Sequence, residues 1–129
     1  MAHILLDASA LLAAIFEESG AEIVQEALQG DVAMSTVNVA EVAAHLHQSG
    51  WTAKEVADTI ADLGIELVPF ETDTALLSGQ YRPATQPLGL GLGDRACLAT
   101  SRLCKWPVLT ADRDWRKLNL HGVTIRFIR

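Results

Sequence analysis

A chain of 129 residues is long enough for one domain with a full core, and it contains no apolar run near the roughly 18 residues of a membrane span. Half of the residues are hydrophobic and the mean hydropathy is +0.21, which points to apolar surface covered by a partner. The net charge of −6 hides a division: residues 1–81 hold 13 of the 16 acids and one base, Lys54, whereas residues 82–129 hold nine bases and only Asp94, Asp112 and Asp114 as acids.

A basic surface with carboxylates set in it suits a polyanion held near a metal. The N-terminal stretch lacks the basic segment of a signal peptide and reaches Asp7 too early for one, so a cytoplasmic protein is expected. Cys97 and Cys104 fall seven apart on one predicted helix, about 10 Å along its axis, out of reach of a disulfide.

In chain order, His3 to Leu6 is a short apolar run that predicts a buried parallel strand ending at Asp7. Ser9 to Phe16 predicts a helix. An acid at that junction either caps the helix or faces a ligand at the carboxyl edge of the sheet, and Ser9 can cap too or hold Asp7 by a hydrogen bond. Ala21 to Leu28 predicts a second helix, and Val32 to Ser35 a second strand. The next helix runs from Ser35-Thr36 to about Gln48 and is closed by Gly50. Glu41 lies inside it among Val37, Val39, Ala40 and Val42, where a charge either points outward or needs a partner or a site.

Thr52-Ala53-Lys54-Glu55 is a capping box that opens a helix to Leu63. Ile65 to Pro69 predicts the third strand, and Thr72 to Tyr81 a helix that Arg82-Pro83 ends. Ala84 to Gly93 reads as a flexible loop; its glycines do not follow a phosphate-loop spacing. Asp94 to Cys104 predicts a helix and Val108 to Thr110 a strand, followed by a helical turn over Arg113 to Leu118 and a last strand over Val123 to Ile128. The Asp94 helix travels roughly 16 Å and a strand of about five residues returns roughly 16 Å, which brings Asp94 and Asp112 to one edge. Alternating strands and helices predict an α/β sandwich with a mainly parallel sheet.

Asp7, Glu41, Asp94 and Asp112 thus fall at strand ends or in the helices that follow them, places that share one edge of a parallel sheet. Carboxylates gathered there repel unless a cation or a proton sits between them. An all-oxygen donor set suits Mg²⁺ or Mn²⁺ and not zinc. Such a site supports in-line hydrolysis of a phosphodiester. Arg95, Arg113 and Arg116 are candidate phosphate donors. Thr110 is a candidate for a metal-held water, and Asp114 is an extra ligand or an ion-pair partner of an arginine. His45, one turn from Glu41, is read as a surface or packing residue. Trp51, Tyr81, Trp106 and Trp115 are the ring candidates for stacking on bases.

Four stretches in order, Leu5-Leu6-Asp7-Ala8-Ser9, Ser35-Thr36-Val37-Asn38-Val39-Ala40-Glu41, Gly93-Asp94-Arg95-Ala96 and Val108-Leu109-Thr110-Ala111-Asp112, resemble the motifs of PIN-domain ribonucleases. The VapC-like toxins of type II toxin–antitoxin systems are the best match. The resemblance spans essentially the whole chain, residues 1–129, as a single PIN domain. It implies an α/β/α sandwich with a central, mainly parallel five-stranded sheet. It also implies Mg²⁺- or Mn²⁺-dependent cleavage of RNA, a homodimer, and inhibition by a cognate VapB-like antitoxin. Asp7, Glu41, Asp94 and Asp112 map onto the acidic quartet, and Ser9 and Thr110 onto its polar support. An antitoxin could inhibit by sending a basic side chain into the acidic crevice. The helices of residues 36–48 and 52–63 are the expected dimer surface.

Three other readings compete. A haloacid-dehalogenase-type phosphatase wants a second Asp two residues after the first, where this chain has Ser9. A response-regulator receiver would use Asp7 as phosphoacceptor, but it wants an acidic pair early and a Lys late in the sheet. A non-catalytic PIN-like module binding RNA or protein would need no intact quartet.

Overall fold

The computed structural model describes residues 3–129. Five short strands form its centre: β1 (Ile4–Leu6), β2 (Val32–Ser35), β3 (Glu66–Val68), β4 (Val108–Thr110) and β5 (Ile125–Phe127). They lie in the order β3-β2-β1-β4-β5, and every pairing is parallel. The sheet is therefore wholly parallel, and its inner strands β1, β2 and β4 are the buried ones while β3 and β5 form the more exposed edges.

Side chains alternate along each strand, so neighbouring residues feed two different cores. Leu6, Met34 and Leu109 point into one, with Leu11, Val24 and Val42. Leu5, Ala33 and Val108 point into the other, with Cys97, Leu98 and Trp115. The registers Leu5↔Ala33 and Leu5↔Val108 put these residues in rows across the sheet.

The helices divide accordingly. Crossovers between parallel strands are right-handed, so the direction of travel across the sheet decides the face. The chain first moves from β1 to β3, and α1 (Ala8–Ile15), α2 (Ala21–Ala27), α3 (Thr36–Gln48) and α4 (Ala53–Asp62) supply the first core. It then crosses back to β4 on the far side of β1. The segments on this route are α5 (Thr72–Gln80), α6 (Arg82–Thr85) and α7 (Leu92–Cys104), and the second core takes Leu77, Tyr81, Cys97 and Leu98 from them. The reversal falls between β1 and β4, and α/β folds open a crevice at such a point, outside the carboxyl ends of the strands. Among the described residues no helix is long and apolar enough to cross a membrane.

Two expectations about the chain path change. Residues 84–93 are not a loop throughout. Pro83 sits in the first turn of α6, where its missing N–H costs nothing, and a 3-10 turn follows at Gln86–Leu88. The helix expected to begin at Asp94 begins at Leu92 instead. Asp94 is its third residue and turns back to accept a hydrogen bond from the Gly91 N–H at 3.0 Å. The capping acid was read as the start because the residues before it are glycines and leucines with no capping side chain.

Gly20 precedes α2 at φ +91°, and a Cβ there would run into the backbone carbonyl of Ile128 beyond β5. Gly64, at φ +67° after α4, faces open space. Gly64→Ala should cost only the left-handed backbone penalty, about 1–2 kcal/mol. Gly20→Ala should cost clearly more, because backbone cannot rotate aside. Urea unfolding midpoints of the two variants compare them directly; equal losses would mean the close approach of Gly20 to Ile128 contributes nothing.

Candidate active site

The four acids arrive on four separate elements. Asp7 leaves β1 and caps α1, Glu41 stands in the second turn of α3, Asp94 is in the first turn of α7, and Asp112 leaves β4 and caps the 3-10 turn Arg113–Lys117. All four line one crevice of about 290 Å³ at the switch point, together with Ser9, Asn38 and His45.

Asp7 is the deepest, 3 % exposed. Its Oδ1 accepts from Ser9 Oγ at 2.7 Å and from the Ala10 N–H at 2.8 Å, and its Oδ2 accepts from Thr110 Oγ1 at 2.5 Å. Capping and ligand-facing, the two readings open for Asp7 in the sequence, thus describe one side chain. Burial pushes its pKa from 3.8 to about 6, with the Asp94 charge adding to the rise and the donors from Thr110, Ala10 and Ser9 opposing it. Ser9 and Thr110 are shared supports. Ser9 Oγ also accepts from the Ala111 N–H at 2.9 Å, and Thr110 Oγ1 accepts from the Asp112 N–H at 3.0 Å. Thr110 is wholly buried with its proton on Asp7, so it holds a carboxylate where a metal-held water was expected.

Glu41 finds its partner in Asn38, whose Nδ2 donates to Oε1 at 2.8 Å. The pKa of Glu41 is raised, chiefly by desolvation, with Asn38 opposing and Asp94 adding to the rise. Asp94 is raised mainly by desolvation, then by Asp112, against the Gly91 N–H, the Trp115 indole and Arg95. Asp94 and Asp112 line the same crevice, as the helix and strand lengths predict. Asp112 Oδ1 accepts from the Asp114 N–H at 3.0 Å.

The other candidates divide. Arg95 is half-buried beside Asp94, and its Nε has no partner. Arg113 is exposed at the start of the 3-10 turn and lies off the crevice wall. Arg116 lies over the Phe127 ring, 5.3 Å from its centroid, away from the crevice. Asp114 contributes its backbone N–H to Asp112, and among the described residues its carboxylate joins neither the crevice wall nor an ion pair. His45 is on the crevice wall and also packs edge-on against Phe16 at 5.7 Å.

The ring candidates need correction. Trp115 is 1 % and Tyr81 9 % exposed, so both are core residues with no face for a base. Trp106 stacks on His3 at 4.3 Å, and both precede their strands, at the edge opposite the crevice. Two residues of the site went unnoticed in the sequence. Asn38 lies three positions before Glu41, a spacing that puts both on one helix face. Gly93 precedes Asp94, and a Cβ on it would overlap the Glu41 carboxylate.

Among the described residues, no three acid, His or Cys side chains already stand at metal-binding separation. Each carboxylate is turned toward its own donors: Asp7 to Ser9, Ala10 and Thr110, Glu41 to Asn38, Asp94 to Gly91, Asp112 to Asp114. The donor chemistry fits a hard divalent cation. All four groups are oxygen acids, three are desolvated, and Asn38 Oδ1 is buried on the same wall with no partner.

A parallel α/β sandwich with an acidic crevice at its switch point is the class that fold and site define. The chain belongs to the PIN domain family, whose model matches residues 4–120. No curated protein matches the sequence. Solved structures share the fold at low identity. A chain of the DNA-bound VapBC of Salmonella typhimurium is 16 % identical over 100 % of both chains, with a TM-score of 0.75. One of VapBC2 from Rickettsia felis, bound to a promoter DNA fragment, is 12 % identical over 97 % of this chain and 98 % of that one, TM-score 0.74. One of a toxin–antitoxin complex from Klebsiella pneumoniae is 23 % identical over 94 % and 95 %, TM-score 0.71.

The raised pKa of Asp7 has a consequence for stability. The folded protein keeps a proton that the unfolded chain releases above about pH 4, so its stability falls as pH rises from about 4 to about 6. A rise of about two units corresponds to about 3 kcal/mol. Glu41 and Asp94 act in the same direction. Asp7→Asn should flatten this dependence in metal-free protein and be the more stable form above pH 6. Urea unfolding in EDTA across pH 4–8 measures it; an unchanged slope in the variant would show that Asp7 is not the source.

Proposed function

We propose that the chain is an Mg²⁺- or Mn²⁺-dependent endoribonuclease and the toxin of a type II toxin–antitoxin pair. The observation that carries the reading is the convergence of Asp7, Glu41, Asp94 and Asp112 on one crevice, with Asp94 raising the pKa of Asp7 and Glu41 and itself raised by Asp112. Four segments far apart in sequence have no packing reason to bring like charges together, and a cation removes the conflict. Membership of the PIN family supports nuclease chemistry. The VapBC and toxin–antitoxin fold relatives support the toxin role and an antitoxin partner.

Asp7, Asp94 and Asp112 would hold one or two cations, with Glu41 as a further ligand or as the group that orients the attacking water. A bound cation supplies charge neutralisation at the phosphate and a more acidic water. The chain does the rest. Ser9, Ala10 and Thr110 fix Asp7 in one orientation. Asn38 occupies Oε1 of Glu41, which leaves Oε2 for the cation or for aligning the attacking water. Arg95, whose charge lowers the pKa of Asp94, is the candidate cation for a phosphate entering the crevice. Water attack leaves a 5′-phosphate and a 3′-hydroxyl. Asp7 is a poor phosphoacceptor, because both of its oxygens accept hydrogen bonds and it is buried, which disfavours a receiver-like role. A homodimer is part of the reading. An apolar cleft of about 440 Å³ opens between α3 and α4, lined by Val39, Ala43, Val56 and Ile60.

Purified protein incubated with total bacterial RNA should give discrete fragments with Mg²⁺ or Mn²⁺ and none with EDTA, with 5′-phosphate ends. Asp94→Asn should fold and lose roughly 100-fold or more in cleavage, the scale of removing one group that stabilises transition-state charge. Undiminished cleavage by Asp94→Asn would overturn the assignment. Ends carrying 2′,3′-cyclic phosphate would also overturn it, because they arise from attack by the RNA's own 2′-hydroxyl. Metal binding without any cleavage would favour a PIN module that only binds.

A further inference from the structure

Asn38 is 1 % exposed and lies inside the crevice wall. Its Nδ2 donates to Glu41 Oε1 at 2.8 Å and to the Gly93 carbonyl at 3.0 Å, so both amide protons are used. Both partners are acceptors. A flipped amide would set oxygen against two oxygens, so this orientation is fixed by chemistry. Oδ1 is then left as the one buried polar atom among the crevice-lining residues with no hydrogen-bond partner. A fully buried amide oxygen rarely goes without a donor, and such an atom marks a place that a water or ligand completes.

Gly93 is the other half of the arrangement. With no Cβ it lets the first turn of α7 close onto the Glu41 carboxylate, which a methyl group would displace. One amide thus joins α3, which carries Glu41, to the turn of α7 that carries Asp94. Holding α3 on α7 could be done by apolar side chains alone. Spending both donors of a buried amide on a carboxylate and on the carbonyl beside Asp94 sets a specific distance between two acids.

We propose that Asn38 is the positioning residue of the metal site: it fixes Glu41 against α7 and presents the remaining Glu41 oxygen to the cation. The inference rests on the metal-dependent reading above. Outer groups that orient a ligand typically change metal affinity by roughly 10- to 100-fold when removed.

The test is Mn²⁺ binding, read from the free-ion paramagnetic resonance signal and from the metal-induced rise in melting temperature. It compares wild type, Asn38→Ala, Glu41→Gln and the double variant. Asn38→Ala should weaken Mn²⁺ binding roughly 10-fold or more, about as much as Glu41→Gln, and the double variant should be no weaker than Glu41→Gln within about twofold. In RNA cleavage at saturating Mn²⁺, kcat should fall with KM for RNA little changed. An Asn38→Ala protein with a lower metal-free melting temperature but wild-type Mn²⁺ affinity would overturn the inference, as would effects that add in full in the double variant. If Asn38→Ala does not fold, Asn38→Ser carries the same comparison, because its hydroxyl is too short to span Glu41 and Gly93. Wild-type protein that binds no Mn²⁺ would overturn the metal reading and this inference with it. Wild-type binding with an unaffected Asn38 variant would overturn this inference alone.

Discussion

Asp7 is a carboxylate with 3 % of its surface exposed, at the end of the central strand, and everything around it answers that burial. Its donors come from both sides of the switch point. Ser9 and the Ala10 N–H belong to α1, and Thr110 belongs to β4. The two hydroxyls also accept from the Ala111 and Asp112 amides, so the segment after β4 is tied to the segment after β1. One buried acid therefore sets where Asp112 stands. The donors stabilise the charge only in part, since the pKa still rises to about 6. The desolvation left over is what a bound cation would offset, and the fold holds that demand open at the place where α/β proteins keep ligands.

The other half of the site is built by a different device. Glu41 and Asp94 sit on helices, and a helix pair places its side chains only as well as its contact is fixed. Here the contact is fixed by the absence of a Cβ at Gly93 and by the Asn38 amide. Asp94 is held in turn by the Gly91 N–H, which makes it a cap as well as a site residue. Capping and site geometry coincide at Asp7, Asp94 and Asp112 alike. An acid that caps is already held in one orientation at the crevice wall.

That coincidence explains what the sequence discloses. A buried parallel strand is an apolar run, and an acid that ends such a run has few places to be, so Leu5-Leu6-Asp7 and Leu109-Thr110-Ala111-Asp112 show their place in the fold by themselves. The path across the sheet follows from handedness once strands and helices are counted. What depends on contacts between distant segments is hidden. Nothing near Trp115 in sequence says that the second core will close over it. Nothing near Arg116 says that Phe127 will draw its guanidinium away. Asn38 reads as one polar residue among valines, because its meaning lies 55 positions away at Gly93. The start of α7 was misplaced for a related reason: the side chain that caps it comes three residues after the cap.

The uneven charge of the chain takes on a different sense in three dimensions. The basic residues 82–129 do not form a lining for the crevice. Arg129 pairs with Glu18 at 3.4 Å, Arg102 donates to the His121 carbonyl, and Arg116 covers Phe127. Arg95 alone among them lowers the pKa of a crevice acid. The crevice is therefore an anionic hole whose wall includes no Lys or Arg. A phosphodiester meets like charge there. Under the proposed reaction this fixes an order. The cation would enter first and offset part of the crevice charge, and only then would a phosphate find a positive centre to bind there. On that reading, the acids that would carry the chemistry would also make phosphate binding at the crevice conditional on the metal.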